Sequence, residues 1–299
     1  MAKERIHPPR PGFKPEEYKI RGKQESDSVD PQGNRIAELD PAEIESQDIE
    51  SQCGLTNESQ HVEQYDGLLG IPRAFVDAHQ APVGQLQWNN NLGNVYTNPG
   101  NINGVRWCSG TLIARDLFLS AGHCFDSNPP GWVVPRTNGT NNPIPPAEIA
   151  QNMHVNFNFQ RDPNGNLRAE QQIAITQLLE HRLGGLDYAI VRLAGNPGDA
   201  FGTTRLARRD PTIGEMSAII GHPAGLPKQI EAGPITAVQG NVIRYNDTDT
   251  LGGNSGSGVL LNSEGTIVGV HTNGGCAGTN PETGFNIGQR ILALRAVSP

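Results

Sequence analysis

Ser255 is the residue of this chain best placed to act as a nucleophile. It lies in a glycine-rich run, residues 250–258, with Gly253 before it and Gly256 directly after it. A serine hydroxyl attacks well only when a base takes its proton and amide donors receive the oxyanion. Glycine lets the backbone turn tightly, which exposes the hydroxyl and directs N–H groups toward one point. Similar runs also form simple loops, so a catalytic role requires a histidine and a carboxylate elsewhere.

His123 is the candidate base. Two short apolar runs flank residues 114–116, which predicts a β-hairpin with His123 at the end of its second strand. Cys108 lies on the approach to the first strand, and Cys124 follows the histidine directly. Adjacent strands lie about 5 Å apart, a separation that a disulfide tolerates. A lone histidine is more often structural, but a backbone fixed by such a bond favours the catalytic role.

Asp187 is the candidate carboxylate, because it leads directly into the apolar run 188–191. An aspartate at the start of a strand can be buried where it accepts the second N–H of the imidazole. Two other aspartates are weaker candidates. Asp126 follows His123 closely in a proline-containing loop that we expect to be solvated, and Asp162 lies in turn-forming sequence. The alternative for Asp187 is an ordinary turn residue at the start of a strand.

The order of these residues along the chain carries further information. Histidine, aspartate, serine is the order of chymotrypsin-like enzymes, whereas subtilisins and α/β-hydrolases use other orders. Ser257 also replaces the glycine that an α/β-hydrolase elbow requires two residues after the serine. The chain resembles the chymotrypsin-like serine peptidases over about residues 70–297. The matching motifs are Leu119-Ser120-Ala121-Gly122-His123-Cys124, Asp187-Tyr188-Ala189-Ile190-Val191 and Gly253-Asn254-Ser255-Gly256-Ser257.

Within that group the chain is most similar to the bacterial glutamyl endopeptidases. The features that carry this similarity are Asn254 before the serine, Ser257 after it, Gly221-His222-Pro223, and His271 sixteen residues beyond Ser255. The resemblance implies catalysis by the triad His123, Asp187 and Ser255 through an acyl-enzyme, with an oxyanion hole made by the backbone N–H groups of Gly253 and Ser255. It also implies that Asn254, which is uncharged, cannot capture a new N-terminal amine as trypsin zymogens do.

The resemblance implies an all-β fold of two packed six-stranded antiparallel β-barrels with a C-terminal helix, after an irregular N-terminal extension. The composition agrees, since the chain has 36 glycines, few aromatic residues and short apolar runs separated by turn residues. Helical spacing of apolar residues appears only near the C-terminus. We expect a peptidase domain over 66–299, with the first barrel at about 70–195, the second at about 205–285 and the helix at about 287–297.

Residues 1–65 have a different composition. Basic residues dominate up to Lys23, and ten acidic residues face a single Arg35 between Gln24 and Gln60. Such sequence buries too little apolar surface to offset chain entropy, so we expect much of it to be disordered. It is either a prosegment that inhibits the enzyme or a solvated extension. Candidate self-processing sites are Glu50, Glu58 and Glu63.

The four cysteines leave two arrangements open. By the resemblance, Cys108 pairs with Cys124, which leaves Cys53 and Cys276. In many trypsin-like enzymes a cysteine at the position of Cys276 bridges the walls of the specificity pocket, but its usual partner position holds Leu251 here. Cys53 and Cys276 either pair with each other or remain free thiols. Disulfides favour a secreted protein, whereas residues 1–23 lack the apolar core of a secretory signal, which favours the cytoplasm.

Specificity is the least determined feature. By the resemblance, Thr250 and His271 contact the carboxylate of a glutamate before the scissile bond. Asp249, however, stands six residues before Ser255, where trypsins place the acid that binds Arg or Lys. We expect cleavage after Glu, with cleavage after Arg or Lys as the alternative.

Composition bounds the partners. The formal net charge of −8 offers no basic stripe for nucleic acid, and no apolar stretch approaches the roughly 20 residues that cross a bilayer. We expect a polypeptide substrate, no cofactor and no metal, because no common metal-ligand spacing occurs; a loop that binds calcium stays open. Two other classes remain: a non-catalytic binding module with a broken triad, and a regulated intracellular protease that cuts one partner. The sequence does not indicate an oligomeric state.

Overall fold

The computed structural model describes residues 52–53, 57–276 and 284–299. The predicted extension up to residue 51, including Glu50, lies outside the described residues. The strands in chain order are β1 Gln60–His61, β2 Val83–Trp88, β3 Arg106–Leu112, β4 Leu117–Ser120, β5 Met153–Phe157, β6 Gln171–Arg182, β7 Tyr188–Leu193, β8 Met216–Gly221, β9 Gln229–Gln239, β10 Val242–Tyr245, β11 Gly258–Leu261, β12 Ile267–Asn273 and β13 Asn286–Arg290. The α-helices are α1 Arg73–His79, α2 Leu92–Val95, α3 Pro146–Gln151, α4 Gly198–Phe201 and α5 Ile291–Arg295.

The described strands close into two antiparallel barrels. In the first, the order is β2-β3-β4-β7-β6-β5. In the second, β8 pairs with both β9 and β11, which closes the order β8-β9-β10-β13-β12-β11. Each barrel therefore has six strands, and the predicted fold of two packed six-stranded barrels is confirmed. None of the described helices is long and apolar enough to cross a membrane.

Strands β4 and β7 connect the two hydrophobic cores. Phe118 pairs with Val191, and both side chains lie in the core of the first barrel. The next pair, Leu119 with Ile190, instead joins the core cluster of the second barrel. Successive side chains of a strand point to opposite faces. In β4 and β7 one face is covered by the core of the first barrel and the other by the core of the second. Because the two strands are antiparallel, the end of β4 and the start of β7 lie side by side at the junction between the barrels.

The segment before the first barrel packs on the second barrel. Gln60 pairs with Ile230 of β9, and Val62 and Tyr65 are each 1% exposed within one apolar cluster on that barrel. The boundary predicted after residue 65 therefore needs correction, because residues 57–65 belong to the folded unit. Composition misled here, since a few buried side chains anchor a segment that is otherwise polar. We call residues 52–53 and 57–65 the arm.

The C-terminal helix is shorter than predicted. Residues 286–290 form β13, which pairs with β10 and β12 and closes the second barrel, so only Ile291–Arg295 is helical. A Cβ atom on Gly288 would meet the Val270 carbonyl oxygen at 3.2 Å. The helical spacing that begins at Ile287 is overridden by pairing with the distant strands β10 and β12, in which Ile287 itself pairs with Arg244 and Asn273.

Anchoring of the arm can be tested by truncating Val62. We expect Val62→Ala to lower the free energy of unfolding by about 2 kcal/mol, because it removes buried methyl groups and leaves a cavity. The matched control is Val297→Ala, at a valine that is 44% exposed, for which a change within about 0.5 kcal/mol is expected. Chemical denaturation of both variants measures this. Equal stabilities would mean that the arm does not contribute to the fold.

Candidate active site

The three residues singled out in the sequence meet at the junction between the barrels. His123 Nδ1 lies 2.6 Å from Asp187 Oδ2, and His123 Nε2 lies 2.7 Å from Ser255 Oγ. His123 follows β4 in a short 3-10 turn and Asp187 immediately precedes β7, so the pairing of these strands places them together. Ser255 comes from the loop between β10 and β11 of the other barrel. One continuous chain of hydrogen bonds thus links a carboxylate, an imidazole and a hydroxyl.

Asp187 holds His123 in two ways. Its Oδ2 contacts the ring, and its Oδ1 accepts the backbone N–H of His123 at 2.9 Å. Burial alone would raise the pKa of Asp187, but the bonds from His123 outweigh it and hold this pKa below its usual value. The carboxylate is therefore ionised at neutral pH. A Cβ atom on Gly122 would meet the Arg182 carbonyl oxygen at 2.1 Å, which explains the glycine before the histidine.

The loop that carries Ser255 is pressed against the first barrel. Ser109 N–H donates to the Ser255 carbonyl at 2.9 Å. A Cβ atom on Gly256 would lie 2.2 Å from Ser120 Oγ and 2.3 Å from the Ser109 carbonyl oxygen, and Gly256 has φ +88°. Only glycine satisfies both the conformation and the space. On its other side the loop pairs with β12, because the N–H of Gly256 donates to the His271 carbonyl at 2.8 Å.

Two carbonyl anchors fix the peptide planes before the serine. The Gly252 carbonyl accepts the N–H of Ala224 at 2.5 Å, and the Gly253 carbonyl accepts Ser109 Oγ at 2.7 Å. In a trans peptide the N–H points opposite to the carbonyl, so the Gly253 N–H is directed away from Ala224. Ala224 itself has φ +51°, a conformation that costs a non-glycine residue free energy and that clusters at functional sites.

The weaker aspartate candidates lie elsewhere. Asp126 accepts the N–H of Asn128 at 3.0 Å, and Asp162 accepts the N–H groups of Asn164 and Asn166 at 2.8 and 2.9 Å. Both are the local side-chain bonds of loops and turns. The structure therefore brings Asp187 to His123 and leaves Asp126 and Asp162 in turns.

The structure has two disulfides, the one that the resemblance implies and one of the two arrangements left open for Cys53 and Cys276. Cys108 of β3 is bonded to Cys124, next to His123, with a Cα–Cα separation of 6.3 Å. Cys53 of the arm is bonded to Cys276 with a Cα–Cα separation of 4.9 Å, so the alternative of two free thiols is excluded. Disulfides that close long loops typically stabilise a fold by about 2–4 kcal/mol. One bond holds the backbone at His123, and the other ties the arm to the loop beyond His271.

His271, a predicted specificity residue, is fully buried in β12. Its Nδ1 contacts the hydroxyl of Tyr245. Burial, with a smaller contribution from the charge on His123, lowers the pKa of His271 to about 3. The ring is therefore neutral at physiological pH and offers an N–H donor rather than a cation.

Asp249 and Thr250, the other predicted specificity residues, are also buried, at 5% and 1% exposure. Asp249 Oδ1 accepts the N–H of Cys53 at 2.7 Å, and its Oδ2 accepts the N–H of Glu58 at 2.9 Å. Both carboxylate oxygens thus face the arm. No local sequence pattern indicates this contact, since Cys53 and Asp249 are separated by 196 positions.

Sequence reasoning missed Tyr245 and Asn286. Asn286 is fully buried, and its side-chain amide donates to the Thr248 carbonyl at 2.9 Å and to Cys53 Sγ at 3.2 Å. A lone tyrosine or asparagine in a strand carries no recognisable motif. Their alternation with apolar neighbours shows which face they occupy, but not what they contact.

Cys108, His123 and Cys124 form a compact group of potential metal ligands among the described residues. The two sulfur atoms are bonded to each other, so the group offers no thiolate, the form in which cysteine binds metals.

A family model described as a trypsin-like peptidase domain matches residues 108–270. An extracellular metalloprotease of Bacillus subtilis (strain 168) is 24% identical over 204 residues, which are 64% of this chain and 56% of that protein. Secreted RxLR effector protein 73 of Plasmopara viticola is 28% identical over 186 residues, 59% of this chain and 43% of that protein. The chain spans about half the length of the curated relatives it matches. A solved Glu endopeptidase in complex with MPD is 19% identical, with a TM-score of 0.46 over 72% of this chain and 86% of that one.

The charge state of His271 can be measured directly. Because its pKa in the folded state lies below 6.5, the folded protein binds fewer protons than the unfolded chain. The contribution of the neutral His271 ring to the stability of the fold is complete above pH 6.5 and is lost as the pH falls toward about 3. We expect the His271 ring protons, assigned in NMR spectra with the variant His271→Gln, to show no titration between about pH 5 and 8. A midpoint near 6.5 would contradict the burial argument.

Proposed function

This chain belongs to the trypsin-like peptidase family, and we propose that it is a serine endopeptidase that uses His123, Asp187 and Ser255. The observation that carries the proposal is the unbroken hydrogen-bonded chain Asp187–His123–Ser255, with contacts of 2.6 and 2.7 Å. A binding module on this fold has no need to keep these three groups in register across two barrels. The geometry therefore favours catalysis over binding alone.

The reaction follows from the roles of the three groups. Ser255 Oγ attacks the carbonyl carbon of the scissile peptide bond while His123 Nε2 takes the hydroxyl proton. Asp187 keeps the ring proton on Nδ1 and stabilises the imidazolium that forms. The C–N bond then breaks, His123 gives its proton to the leaving amine, and an ester on Ser255 remains. Water, deprotonated by the same histidine, hydrolyses this ester and restores the serine.

The developing negative charge needs donors at a fixed place. We assign these to the backbone N–H groups of Gly253 and Ser255, with the orientation of the first set by the bond that the Gly252 carbonyl of the same peptide unit accepts from Ala224. Each such donor contributes about 3 kcal/mol in comparable enzymes.

For specificity, we propose cleavage after glutamate. Both Asp249 oxygens accept hydrogen bonds from backbone N–H groups of the arm. We therefore expect that this carboxylate does not bind a substrate Arg or Lys, unlike the acid at this position in trypsins. The Thr250 hydroxyl and the His271 ring N–H are donors of the kind that suits a carboxylate. A Glu side chain would be recognised by hydrogen bonds from these neutral groups to its charged oxygens.

We further propose that the enzyme acts outside the cell. Its two disulfides fit an oxidising compartment, and the names of the two curated relatives describe an extracellular and a secreted protein.

Self-processing would occur before Cys53. The N–H of Glu58 is held by Asp249, and Glu63 lies in a 3-10 turn and is paired with Arg168, so neither presents an extended strand to a protease. We also propose that the segment before Cys53 inhibits the enzyme until it is removed.

The triad is tested by three single variants. Ser255→Ala should lower kcat by about 10⁶-fold, because the nucleophile is lost. Asp187→Asn should lower kcat by about 10⁴-fold, because the histidine then adopts the wrong tautomer. Asp126→Asn, at the neighbouring aspartate, should leave kcat unchanged. Hydrolysis of a fluorogenic peptide measures all three, and an equal loss in Asp126→Asn would show that Asp187 was chosen wrongly.

Specificity is tested by digesting a peptide library with the full chain beside Ser255→Ala. We expect cleavage after Glu, with loss of at least about tenfold when Glu becomes Gln, because a charged acceptor forms stronger hydrogen bonds than a neutral one. Cleavage after Arg or Lys would refute the preference while leaving the protease proposal intact. If Ser255 reacts with no fluorophosphonate probe and no peptide is cut, the chain is a binding module or a latent precursor.

A further inference from the structure

We propose that Asp249 is a positioning residue which, together with the Cys53–Cys276 disulfide, uses the arm to shape the specificity pocket beside Ser255. This inference rests on the proposed function and deepens it, because it assigns Asp249 to the wall of the pocket rather than to the substrate. It also makes the arm a permanent part of the site.

The first support is the way Asp249 is used. Its two oxygens accept hydrogen bonds from the backbone N–H groups of Cys53 and Glu58, at 2.7 and 2.9 Å. One carboxylate therefore binds the arm at two positions. A carboxylate that accepts two backbone N–H groups forms strong, directional bonds. The next residue is Thr250, so the position of the arm sets the position of a proposed substrate contact.

The second support is the disulfide on the opposite wall. Cys53 Sγ is bonded to Cys276, three residues beyond the end of β12, the strand that carries His271. The same arm residue therefore contacts Asp249 through its N–H and the His271 side of the pocket through its sulfur. Cys53 and Cys276 are 2% and 3% exposed, which places the bond inside the fold.

The third support is Asn286, which links the same segments. Its amide donates to the Thr248 carbonyl and to Cys53 Sγ, and its oxygen accepts the N–H of Gly275 at 3.1 Å. Four stretches of chain, namely the arm, residues 248–250, residues 275–276 and the start of β13, are thus held by one buried side chain, one carboxylate and one disulfide. Each of these contacts involves the arm or a residue bonded to it.

The arm is anchored independently of what precedes it. Beyond Glu58 it pairs with β9 through Gln60 and His61, and Val62 is buried on the second barrel. These contacts use internal backbone groups and side chains rather than a terminal amine. A cut before Cys53 would leave all of them in place, so the pocket does not depend on a newly formed N-terminus.

The test uses the full chain and two ways of releasing the arm. The first variant is Asp249→Asn, which keeps one acceptor and replaces the other with an N–H donor. The second is the double variant Cys53→Ser with Cys276→Ser, which leaves Cys108–Cys124 intact. The matched control is Asp199→Asn, at an exposed aspartate paired with Arg115 on the first barrel. Melting temperatures are measured first, and all assays are run well below them.

We expect both releasing variants to raise KM for a Glu peptide by about tenfold, because the walls of the pocket lose their fixed positions. Labelling of Ser255 by a small fluorophosphonate should change by less than about twofold, because the triad is aligned by the contacts of His123 with Asp187 and with Ser255. When the two changes are combined, their effects on KM should be less than additive, because they release the same element. Asp199→Asn should behave as the wild type.

Three results would overturn the inference. The first is an unchanged KM in both releasing variants. The second is a fall in labelling that matches the fall in peptide hydrolysis, since that would mark a general loss of structure. The third is a wild type that cuts after Arg or Lys and loses this cleavage in Asp249→Asn, since Asp249 would then contact substrate. A wild type that is neither labelled nor active refutes the proposed function itself, and the inference falls with it.

Discussion

The contact between the loop of Ser255 and the first barrel leaves no room for a side chain at Gly256. A Cβ atom there would overlap Ser120 Oγ and the Ser109 carbonyl, and the loop is held at this distance by the bond from Ser109 N–H to the Ser255 carbonyl. Because His123 belongs to the first barrel and Ser255 to the second, their 2.7 Å contact exists only while the barrels stay this close. The site therefore depends on the interface between the two barrels more than on either barrel alone.

The first barrel meets that requirement through β4 and β7. Alternate residues of these strands pack into different barrels, as the pairs Phe118–Val191 and Leu119–Ile190 show. His123 lies in the turn that follows β4, and Asp187 directly precedes β7. Packing and chemistry are thus coupled, since any shift of the interface moves the histidine relative to the serine. Interiors are packed too densely to absorb such a shift gradually.

How much the sequence predicts depends on the range of the interaction. His123, Asp187 and Ser255 were found because each lies in a local pattern of turn, strand or cysteine that a short window reveals, and the two barrels followed from the resemblance that these motifs carry. The bonding partners of Asp249, the folded part of the arm and the strand at 286–290 were missed. Each depends on partners distant in the chain, such as the N–H of Cys53 for Asp249, and composition or periodicity does not encode those partners.

The effects of Asp249 and His271 on charge depend on the location of each side chain as well as on its residue type. The sequence offers one aspartate and one histidine, which would suit opposite substrates. Burial removes the charge of His271 by lowering its pKa to about 3, and the arm occupies both oxygens of Asp249. Neither residue type determines a substrate by itself, because burial sets the charge of the histidine and bonds to a distant segment set the orientation of the aspartate. Burial and orientation, rather than residue type, are therefore the grounds on which our proposal favours a substrate carboxylate over a substrate cation.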